Sequence, residues 1–234
     1  MKALVMIPAY NEQDSIMKVI NELKANAPDM DYLVINDCST DNTKTVLQQN
    51  QAEYLDLPFN LGIGGGVQAG YLYALEHGYD IAVQVDGDGQ HDTAVLQKMV
   101  QMIQHKEADA VIGSRFIEKK GFLSTPLRRV GITFLSVIIR LLTGKRIYDV
   151  TSGLRAVNQK LIALYAKEYP VDYPEPEAIV RAAMGGYIIK EIPVHMKERE
   201  YGKSSIQFFQ SVYYMVKVTL AVILCSLENK GGGG

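Results

Sequence analysis

The strongest constraint on the fold is an alternation of short apolar runs with amphipathic segments in the first half of the chain. Apolar runs rich in Val, Ile and Leu predict strands, and apolar residues spaced three or four positions apart predict helices. The predicted strands are Ala3–Ile7, Tyr32–Asn36, Ile81–Val85 and Ala110–Gly113, and the predicted helices are Ser15–Ala25, Thr43–Asn50 and Thr93–His105. Because strands joined through helices pair in parallel, we expect an α/β fold with a mainly parallel central sheet flanked by helices.

The polar residues that follow the predicted strands form three loops. These are Pro8–Glu12 after the first strand, Asp37–Asp41 after the second and Asp86–Gln90 after a later one. Ligands of parallel α/β sheets bind beyond the carboxyl ends of the strands. We therefore expect the three loops to converge on one crevice.

Two carboxylates stand two residues apart in the third loop, where Asp86 and Asp88 alternate with glycine. Residues i and i+2 of a strand point the same way, so both carboxylates can converge on one cation where the strand ends. Mg²⁺ or Mn²⁺ suits such a pair, because these ions take oxygen ligands and complete their coordination with water and phosphate oxygens. An acidic solvated turn is the alternative interpretation.

The composition narrows the class of protein. With 234 residues, of which 47% are hydrophobic, the chain can bury a full core, and its net charge of -2 gives no global reason to expect nucleic-acid binding. Cys38 and Cys225 fit neither a disulfide framework nor a zinc site, and the apolar run after Met1 is too short for a signal peptide, so we expect a cytoplasmic protein. The glycines 231–234 are interpreted as a linker or an added tail.

A glycine-rich segment, Asn60–Gly66, opens a helix that we expect to run through Tyr71 to Glu76. It superficially resembles a dinucleotide-binding loop. Counting Gly-x-Gly-x-x-Gly from Gly62, however, puts Val67 at the last position, so we reject a Rossmann cofactor. Glycines at a helix start still let the backbone approach a diphosphate or a nucleoside closely.

Basic side chains outnumber acidic ones by eight to one between residues 115 and 146, so this segment is expected to bind anions. The basic residues are Arg115, Lys119, Lys120, Arg128, Arg129, Arg140, Lys145 and Arg146. Two largely apolar segments accompany them: Val130–Thr143 is too short to span a bilayer, and a central Lys217 disfavours a span by Ile206–Leu227. We expect both to be amphipathic helices at a membrane interface, with ordinary core helices as the alternative.

Seven motifs follow one another along nearly the whole chain. They are Ile7–Glu12, Asn36–Asp41, Asn60–Gly62, Asp86–His91, Gly113–Phe116, Thr151–Arg155 and Arg199–Ser204. Together they resemble the family 2 inverting glycosyltransferases of the GT-A fold, and within them the group of dolichyl-phosphate mannosyltransferase and polyprenyl-phosphate glycosyltransferases. The resemblance implies a catalytic domain over 1–203, in which 115–146 is the acceptor and membrane-interface segment, and a C-terminal apolar helix over 204–230.

The resemblance also implies a nucleotide-sugar site and a metal site. The residues it assigns to the nucleotide sugar are Pro8, Ala9, Tyr10, Glu12, Asp37, Asn60, Gly62, Asp86 and Gly87. It assigns Mg²⁺ or Mn²⁺ to Asp86, Asp88 and Gln90, and catalysis to Asp86, Asp88, Arg115 and Arg199. Turn formation and helix capping are the alternative for Asp37 and Asp41. His91 is interpreted as ordering the loop rather than as a metal ligand, since a hard cation prefers oxygen.

The class of acceptor can be argued from charge. A sugar hydroxyl loses a proton as it attacks and needs a carboxylate base, for which Glu175 and Glu177 are the candidates. A phosphate monoester is already ionised near neutral pH and needs only to be positioned, which suits guanidinium groups. We therefore expect a phosphate acceptor. Its predicted ligands are Arg115, Arg128, Arg129, Ser152, Arg199 and Ser204, with the choice between Arg128 and Arg129 open.

These inferences predict an inverting glycosyltransferase that moves a hexose from a nucleotide diphosphate sugar, with a UDP-sugar favoured, to undecaprenyl or dolichyl phosphate. The enzyme is expected to lie peripherally on the cytoplasmic, inner face of the cell membrane, and association into a homo-oligomer is left open. The alternatives are a polysaccharide glycosyltransferase that elongates a lipid-linked sugar and a non-catalytic nucleotide-binding scaffold.

Overall fold

The computed structural model describes residues 1–118, 126–197 and 208–231. Within these ranges seven strands form one sheet that is flanked by eight α-helices. The strands are β1 (Ala3–Ala9), β2 (Asp31–Asn36), β3 (Tyr54–Asp56), β4 (Ile81–Gln84), β5 (Ala110–Ser114), β6 (Arg155–Asn158) and β7 (Ile189–Pro193). The helices are α1 (Ile16–Asn26), α2 (Thr43–Gln49), α3 (Gly62–Glu76), α4 (Leu96–Gln104), α5 (Pro126–Thr143), α6 (Gln159–Lys167), α7 (Pro174–Met184) and α8 (Phe208–Gly231).

The strand order is β3-β2-β1-β4-β6-β5-β7, and the pairing is mainly parallel as predicted. Strand β6 is the exception, because it runs antiparallel to both β4 and β5. The parallel strands β1, β2 and β4 end on one edge of the sheet, at Ala9, Asn36 and Gln84. We call this the carboxyl edge, and the three predicted loops all emerge from it.

The sheet is buried on both faces. In β1 the side chains of Val5 and Ile7 pack in one core cluster with α1 and α4, whereas Leu4 and Met6 pack in a second cluster with α3 and α6. This alternation follows from the two-residue period of a strand. A strand that is apolar at every position is therefore explained by helices on both sides.

A third core cluster joins α5, α7 and α8 beside β5. Ile132, Leu135 and Ile139 of α5 pack with Val218 and Val222 of α8 in this cluster. The two helices approach closely at Gly131, where a Cβ would lie 2.9 Å from the sulfur of Met215. The alternative prediction, that these two segments form ordinary core helices, is thus correct for one face of α5 and one face of α8.

The other faces of α5 and α8 carry large apolar side chains that are each at least half exposed. They are Val130, Phe134, Val137 and Leu141 on α5, and Val216, Leu220, Leu224 and Leu227 on α8. These eight residues are called the α5–α8 apolar surface below. No helix within the described ranges combines the length and the apolar character that crossing a membrane requires.

Candidate active site

The first two loops of the carboxyl edge are bound to each other by Asn11. Its backbone has a φ of 58°, in the left-handed region that asparagine tolerates better than most residues. The Asn11 side-chain oxygen accepts from the backbone N–H of Thr40 (2.8 Å), and the Asn11 N–H donates to the Ser39 hydroxyl (3.0 Å). The ends of β1 and β2 are therefore held in a defined relative position.

Asp41 forms hydrogen bonds within the same two loops, at the start of α2. Its carboxylate accepts from the backbone N–H of Thr43 (2.9 Å) at the start of α2 and from the N–H of Gln13 (3.2 Å). The structure thus gives Asp41 the turn-forming and capping contacts that were the alternative to ligand binding.

Asp37 and Asn60 fix the start of α3 against the end of β2. The N–H of Leu61 donates to Asp37 Oδ1 (2.7 Å), and the Asn60 side-chain amide donates to the Asp37 carbonyl (3.1 Å). Gly62 follows with a φ of 72°, which favours glycine. At Gly64 a Cβ would lie 2.3 Å from the carbonyl oxygen of Pro170, so this turn of α3 has no room for a side chain.

These loops enclose a cavity of about 700 Å³ at the carboxyl edge. Its lining residues are Pro8, Ala9, Tyr10, Asn11, Glu12, Asp37, Asn60, Gly62, Ile63, Gly66, Asp86, Gly87 and Asp88. All nine residues predicted to bind the nucleotide sugar are in this set, so the structure brings together side chains that are far apart in sequence. Tyr10 lines the cavity and is about half exposed.

The acidic loop turns back sharply after β4. The Asp88 carboxylate accepts from the N–H of Gln90 (3.0 Å), and Gly89 adopts a φ of 76°. Asp86 and Asp88 both line the cavity. The Gln90 amide instead donates to the carbonyl of Lys197 (3.2 Å), and Gln90 is outside the lining set, so it is the least well placed of the three predicted metal ligands.

The donor set fits a hard divalent cation that is shared with a substrate. In the described ranges no three His, Cys, Asp or Glu side chains group closely enough to hold a metal by themselves. The two carboxylates of Asp86 and Asp88 leave most positions of an octahedral ion to water and phosphate oxygens, as Mg²⁺ and Mn²⁺ prefer.

Arg115 is buried in an ion pair and does not point into solvent. Its Nε and Nη2 donate to the two carboxylate oxygens of Asp149 (2.6 Å each), and Nη2 also donates to the Thr151 hydroxyl (3.0 Å). The Arg115 side chain is 7% exposed and the Asp149 side chain is fully buried. The expectation that Arg115 binds the acceptor phosphate stays a prediction, and only Nη1 of its guanidinium has no bond to Asp149 or Thr151.

Ser152, a further predicted acceptor ligand, also makes an internal contact. Its side chain is buried, and its hydroxyl donates to the carbonyl of Gly113 (2.6 Å). A hydroxyl has a single proton to donate, so Ser152 has none to offer a phosphate while this bond is made.

Glu191 completes the buried network around Asp149. Its carboxylate accepts from the backbone N–H groups of Tyr148 and Asp149 (2.8 Å each). Burial raises the pKa of Glu191, the backbone hydrogen bonds oppose the rise and the nearby Asp149 adds to it. The segment that leads from α5 into β6 is thus tied to β5 and β7 by charged groups inside the protein.

Arg155 and Glu175 form a second polar group, in which Arg155 Nη1 donates to the Glu175 carbonyl (3.4 Å), and Arg155 was not a predicted site residue. Arg155 is 3% exposed, and its Nη2 donates to the Ser152 carbonyl (2.7 Å). Burial raises the pKa of Glu175, with Arg155 and Arg128 opposing the rise and Asp86 adding to it. Arg155 is the first residue of β6, and its side chain lies on the same face as Val157, which packs in the second core cluster. The two-residue alternation of this strand in the sequence could have indicated that Arg155 points into the protein.

The remaining predicted acceptor ligands lie in two places. Arg128 and Arg129 are exposed in the first turns of α5. The charge of Arg128 opposes the rise in the pKa of Glu175 that burial causes. Arg199 and Ser204 fall within 198–207, outside the described residues.

Comparison with known proteins identifies the family to which the chain belongs. The model of the family described as glycosyl transferase family 2 matches residues 4–164. An undecaprenyl-phosphate mannosyltransferase of Micrococcus luteus is 31% identical over 218 residues, which cover 88% of each chain. A UDP-N-acetylglucosamine–dolichyl-phosphate N-acetylglucosaminyltransferase of Methanococcus voltae is 30% identical over 94% of this chain and 97% of its own.

Solved structures agree on the fold. Glucosyl-3-phosphoglycerate synthase of Mycobacterium tuberculosis, crystallised with Mn²⁺, uridine diphosphate and glucosyl-3-phosphoglycerate, superposes with a TM-score of 0.70 at 17% identity, covering 96% of this chain and 79% of that one. The predicted GT-A fold is confirmed, and the family match covers the strands and loops that build the cavity. The chain belongs to glycosyl transferase family 2.

Proposed function

We propose that this protein is an inverting glycosyltransferase that moves a hexose from a nucleotide diphosphate sugar to a polyprenyl phosphate. The observation that carries the proposal is the cavity at the carboxyl edge, in which the carboxylates of Asp86 and Asp88 lie in one lining with Asp37 and the glycine-rich start of α3. The similarity over most of the chain to transferases named for undecaprenyl and dolichyl phosphate supports the class of acceptor.

The nucleoside half of the donor is assigned to the β1 and β2 loops. A base can stack on Tyr10 at the rim, while Asp37 accepts hydrogen bonds from N–H or hydroxyl groups deeper in the cavity. The small residues Gly62 and Gly66 allow the backbone of α3 to approach the ligand. A UDP-sugar is the donor we favour.

The diphosphate half is assigned to the acidic loop. Asp86 and Asp88, with Gln90 as the third candidate, hold Mg²⁺ or Mn²⁺, which supplies charge stabilisation to the departing diphosphate. Gly87 lies between the two aspartates, and a Cβ at this position would lie 3.1 Å from the carbonyl oxygen of Pro8, so the loop has little room for a side chain there.

The acceptor phosphate is assigned to basic residues on the α5 side of the cavity. Arg128 is our principal candidate for the phosphate ligand, because Arg115 is bound to Asp149. The charges of Arg128 and of Asp86 both affect the pKa of Glu175, which supports a position of Arg128 on this side of the protein. Arg199 and Ser204 are retained as further candidates from their motif. A phosphate held there attacks directly, which inverts the anomeric centre without a protein base.

The membrane surface is proposed to contact the α5–α8 apolar surface. A polyprenyl tail stays in the bilayer, so the active site has to lie at the membrane surface to reach the phosphate of the lipid. The exposed apolar side chains of α5 and α8 are accompanied by the basic residues Arg129, Arg140, Lys145 and Arg146, which favour an anionic lipid surface by about 1 kcal/mol each. We infer a peripheral position on the inner face of the cell membrane for a catalytic domain over 1–203 with its C-terminal helix.

The test is product formation from a panel of labelled UDP-, GDP- and dTDP-sugars with undecaprenyl phosphate in detergent. We expect a metal-dependent sugar phospholipid that partitions into organic solvent, and a loss on the order of 100-fold in Asp88→Ala, since charge on the leaving group is then less stabilised. Asp92→Asn is the matched control, because Asp92 lies in the same loop, caps a short helical turn and is outside the cavity. Donor binding without transfer to the lipid phosphate would refute the acceptor class.

A second candidate function, elongation of a lipid-linked sugar, is favoured by Glu175. Burial raises the pKa of this carboxyl group, and its charge interacts with that of Asp86. Such a group can serve as a base towards a sugar hydroxyl. In that case Glu175→Gln would abolish transfer to a sugar acceptor, whereas Arg128→Gln would have only a modest effect on this transfer. Glu177→Gln tests the other candidate base in the same assay.

A further inference from the structure

His91 contacts both the backbone and the side chain of Asp86. The backbone N–H of Asp86 donates to His91 Nδ1 (3.2 Å), and His91 Nε2 lies 3.6 Å from Asp86 Oδ2. A ring nitrogen that accepts a hydrogen bond carries no proton, so the proton of the neutral ring is on Nε2, facing the carboxylate. The ring is only 4% exposed, and its orientation is therefore set by packing.

Gly153 abuts the same carboxylate from the other side. A Cβ at this position would lie 2.7 Å from Asp86 Oδ2 and 2.8 Å from Asp86 Oδ1. Real Cβ contacts do not reach such distances. The φ of Gly153 is outside the left-handed region, so the backbone conformation does not require glycine here. Glycine is required because a side chain would have no space.

The segment that carries Gly153 is held in place by buried polar contacts. On one side Ser152 donates to the Gly113 carbonyl, and on the other Arg155 donates to the Ser152 carbonyl. The ion pair of Arg115 and Asp149 fixes the residues just before it. Gly153 is thus part of a rigid wall, and any added side chain would displace Asp86 rather than the wall.

We propose that His91 and Gly153 are positioning residues that hold the Asp86 carboxylate in the orientation required for the divalent cation. The inference rests on the proposed function, since it takes Asp86 as a ligand of the metal that binds with the donor. A carboxylate whose torsions are restricted before binding loses less freedom when the metal arrives. Partners of metal ligands typically change metal affinity by about 10- to 100-fold when they are removed.

The experiment measures Mn²⁺ binding to the full chain in the presence of UDP, by the loss of the free Mn²⁺ signal in electron paramagnetic resonance. His91→Leu removes the acceptor for the Asp86 N–H, whereas His91→Asn places a side-chain oxygen where Nδ1 lies. Gly153→Ala adds the Cβ. The matched controls are His105→Asn, at an exposed helix end, and Gly131→Ala, whose Cβ meets the flexible side chain of Met215. Thermal melting of each variant is recorded alongside.

We expect the dissociation constant of Mn²⁺ to rise about 10-fold in His91→Leu and Gly153→Ala, and to stay within about threefold of wild type in His91→Asn and in both controls. Unchanged affinity in His91→Leu and Gly153→Ala overturns the inference, as does an equal loss in His91→Leu and His91→Asn. If Gly153→Ala does not fold, the two His91 variants decide. A wild-type protein that binds no Mn²⁺ with UDP refutes the proposed function as well, so the two failures are distinguishable.

Discussion

Most polar atoms in the loops of the carboxyl edge bind one another, and this decides which residues face the cavity. Asp41 is used to cap α2, whereas Asp37 holds α3 through one oxygen and still lines the cavity. The two aspartates look equivalent in sequence, since each lies in the same polar loop. Their different contacts are visible only in the folded chain.

The adjacent arginines of α5 provide a test at the residue scale. We expect Arg128→Gln to raise the KM for polyprenyl phosphate about 10-fold, because a charge-assisted hydrogen bond contributes about 1.5–3 kcal/mol. Arg129→Gln is the matched control and should change this KM by less than about threefold, since residue 129 projects from another side of the helix. The measurement is steady-state transfer at saturating donor.

Equal effects of the two substitutions would contradict the assignment of Arg128. An effect on donor affinity alone would also contradict it, because Arg128 is proposed to contact the acceptor phosphate and not the nucleotide.

At the scale of elements, the segment between α5 and β6 is the least regular part of the site and one of the most strongly held. The buried carboxyl group of Asp149, the partly buried one of Glu191 and two buried arginines, Arg115 and Arg155, connect it to β5, β7 and α7. Buried charges are costly unless they are paired and hydrogen-bonded. The network therefore favours one arrangement of the segment that carries Gly153.

A double-mutant cycle on Arg115 and Asp149 tests the buried ion pair. We expect Arg115→Met and Asp149→Leu each to lower the free energy of unfolding by about 3–5 kcal/mol, because each leaves an unpaired buried charge. The double variant should lose clearly less than the sum, since no charge is then left unpaired. Chemical denaturation measures all four proteins.

Additive losses would show that the two side chains do not stabilise the protein as a pair. An Arg115→Met protein of unchanged stability with a raised KM for the acceptor would restore Arg115 as a phosphate ligand.

At the scale of the whole molecule, the cavity at the carboxyl edge and the α5–α8 apolar surface are built from different elements. The cavity lies at the end of the sheet, whereas α5 and α8 form a cluster of their own beside β5. The apolar residues of these two helices therefore serve two purposes. One face stabilises the third core cluster, and the other is available for the proposed lipid surface.

The proposed membrane contact predicts binding to vesicles. We expect the Phe134→Gln/Leu141→Gln variant to bind vesicles that contain phosphatidylglycerol at least about 10-fold more weakly than wild type, because burying each such side chain contributes about 1.5–3 kcal/mol. The matched control is Leu72→Gln/Leu75→Gln, which changes two side chains of α3 that are also partly exposed, at 43% and 42%. Flotation with vesicles measures both.

Equal binding by the two double variants would contradict a role for the α5–α8 apolar surface. A concentration-dependent dimer of wild type that dissociates only in Phe134→Gln/Leu141→Gln would assign the surface to a second copy of the chain instead.

The sequence by itself determined the α/β class and the four strands β1, β2, β4 and β5. Its motifs, through the family that they resemble, also named the nine residues of the predicted nucleotide-sugar site that line one cavity. The strands and the converging loops could be predicted because local periodicity and the position of polar residues after strands depend on neighbours in the chain. Only the tertiary structure decided the antiparallel β6, the partners of Arg115 and Ser152, and the contact of Gly153 with Asp86. These depend on groups that are distant in sequence, and a motif names a residue without showing which of its possible partners is nearest. An arginine that looks available for phosphate can therefore be bound to a buried aspartate, and its role follows from packing.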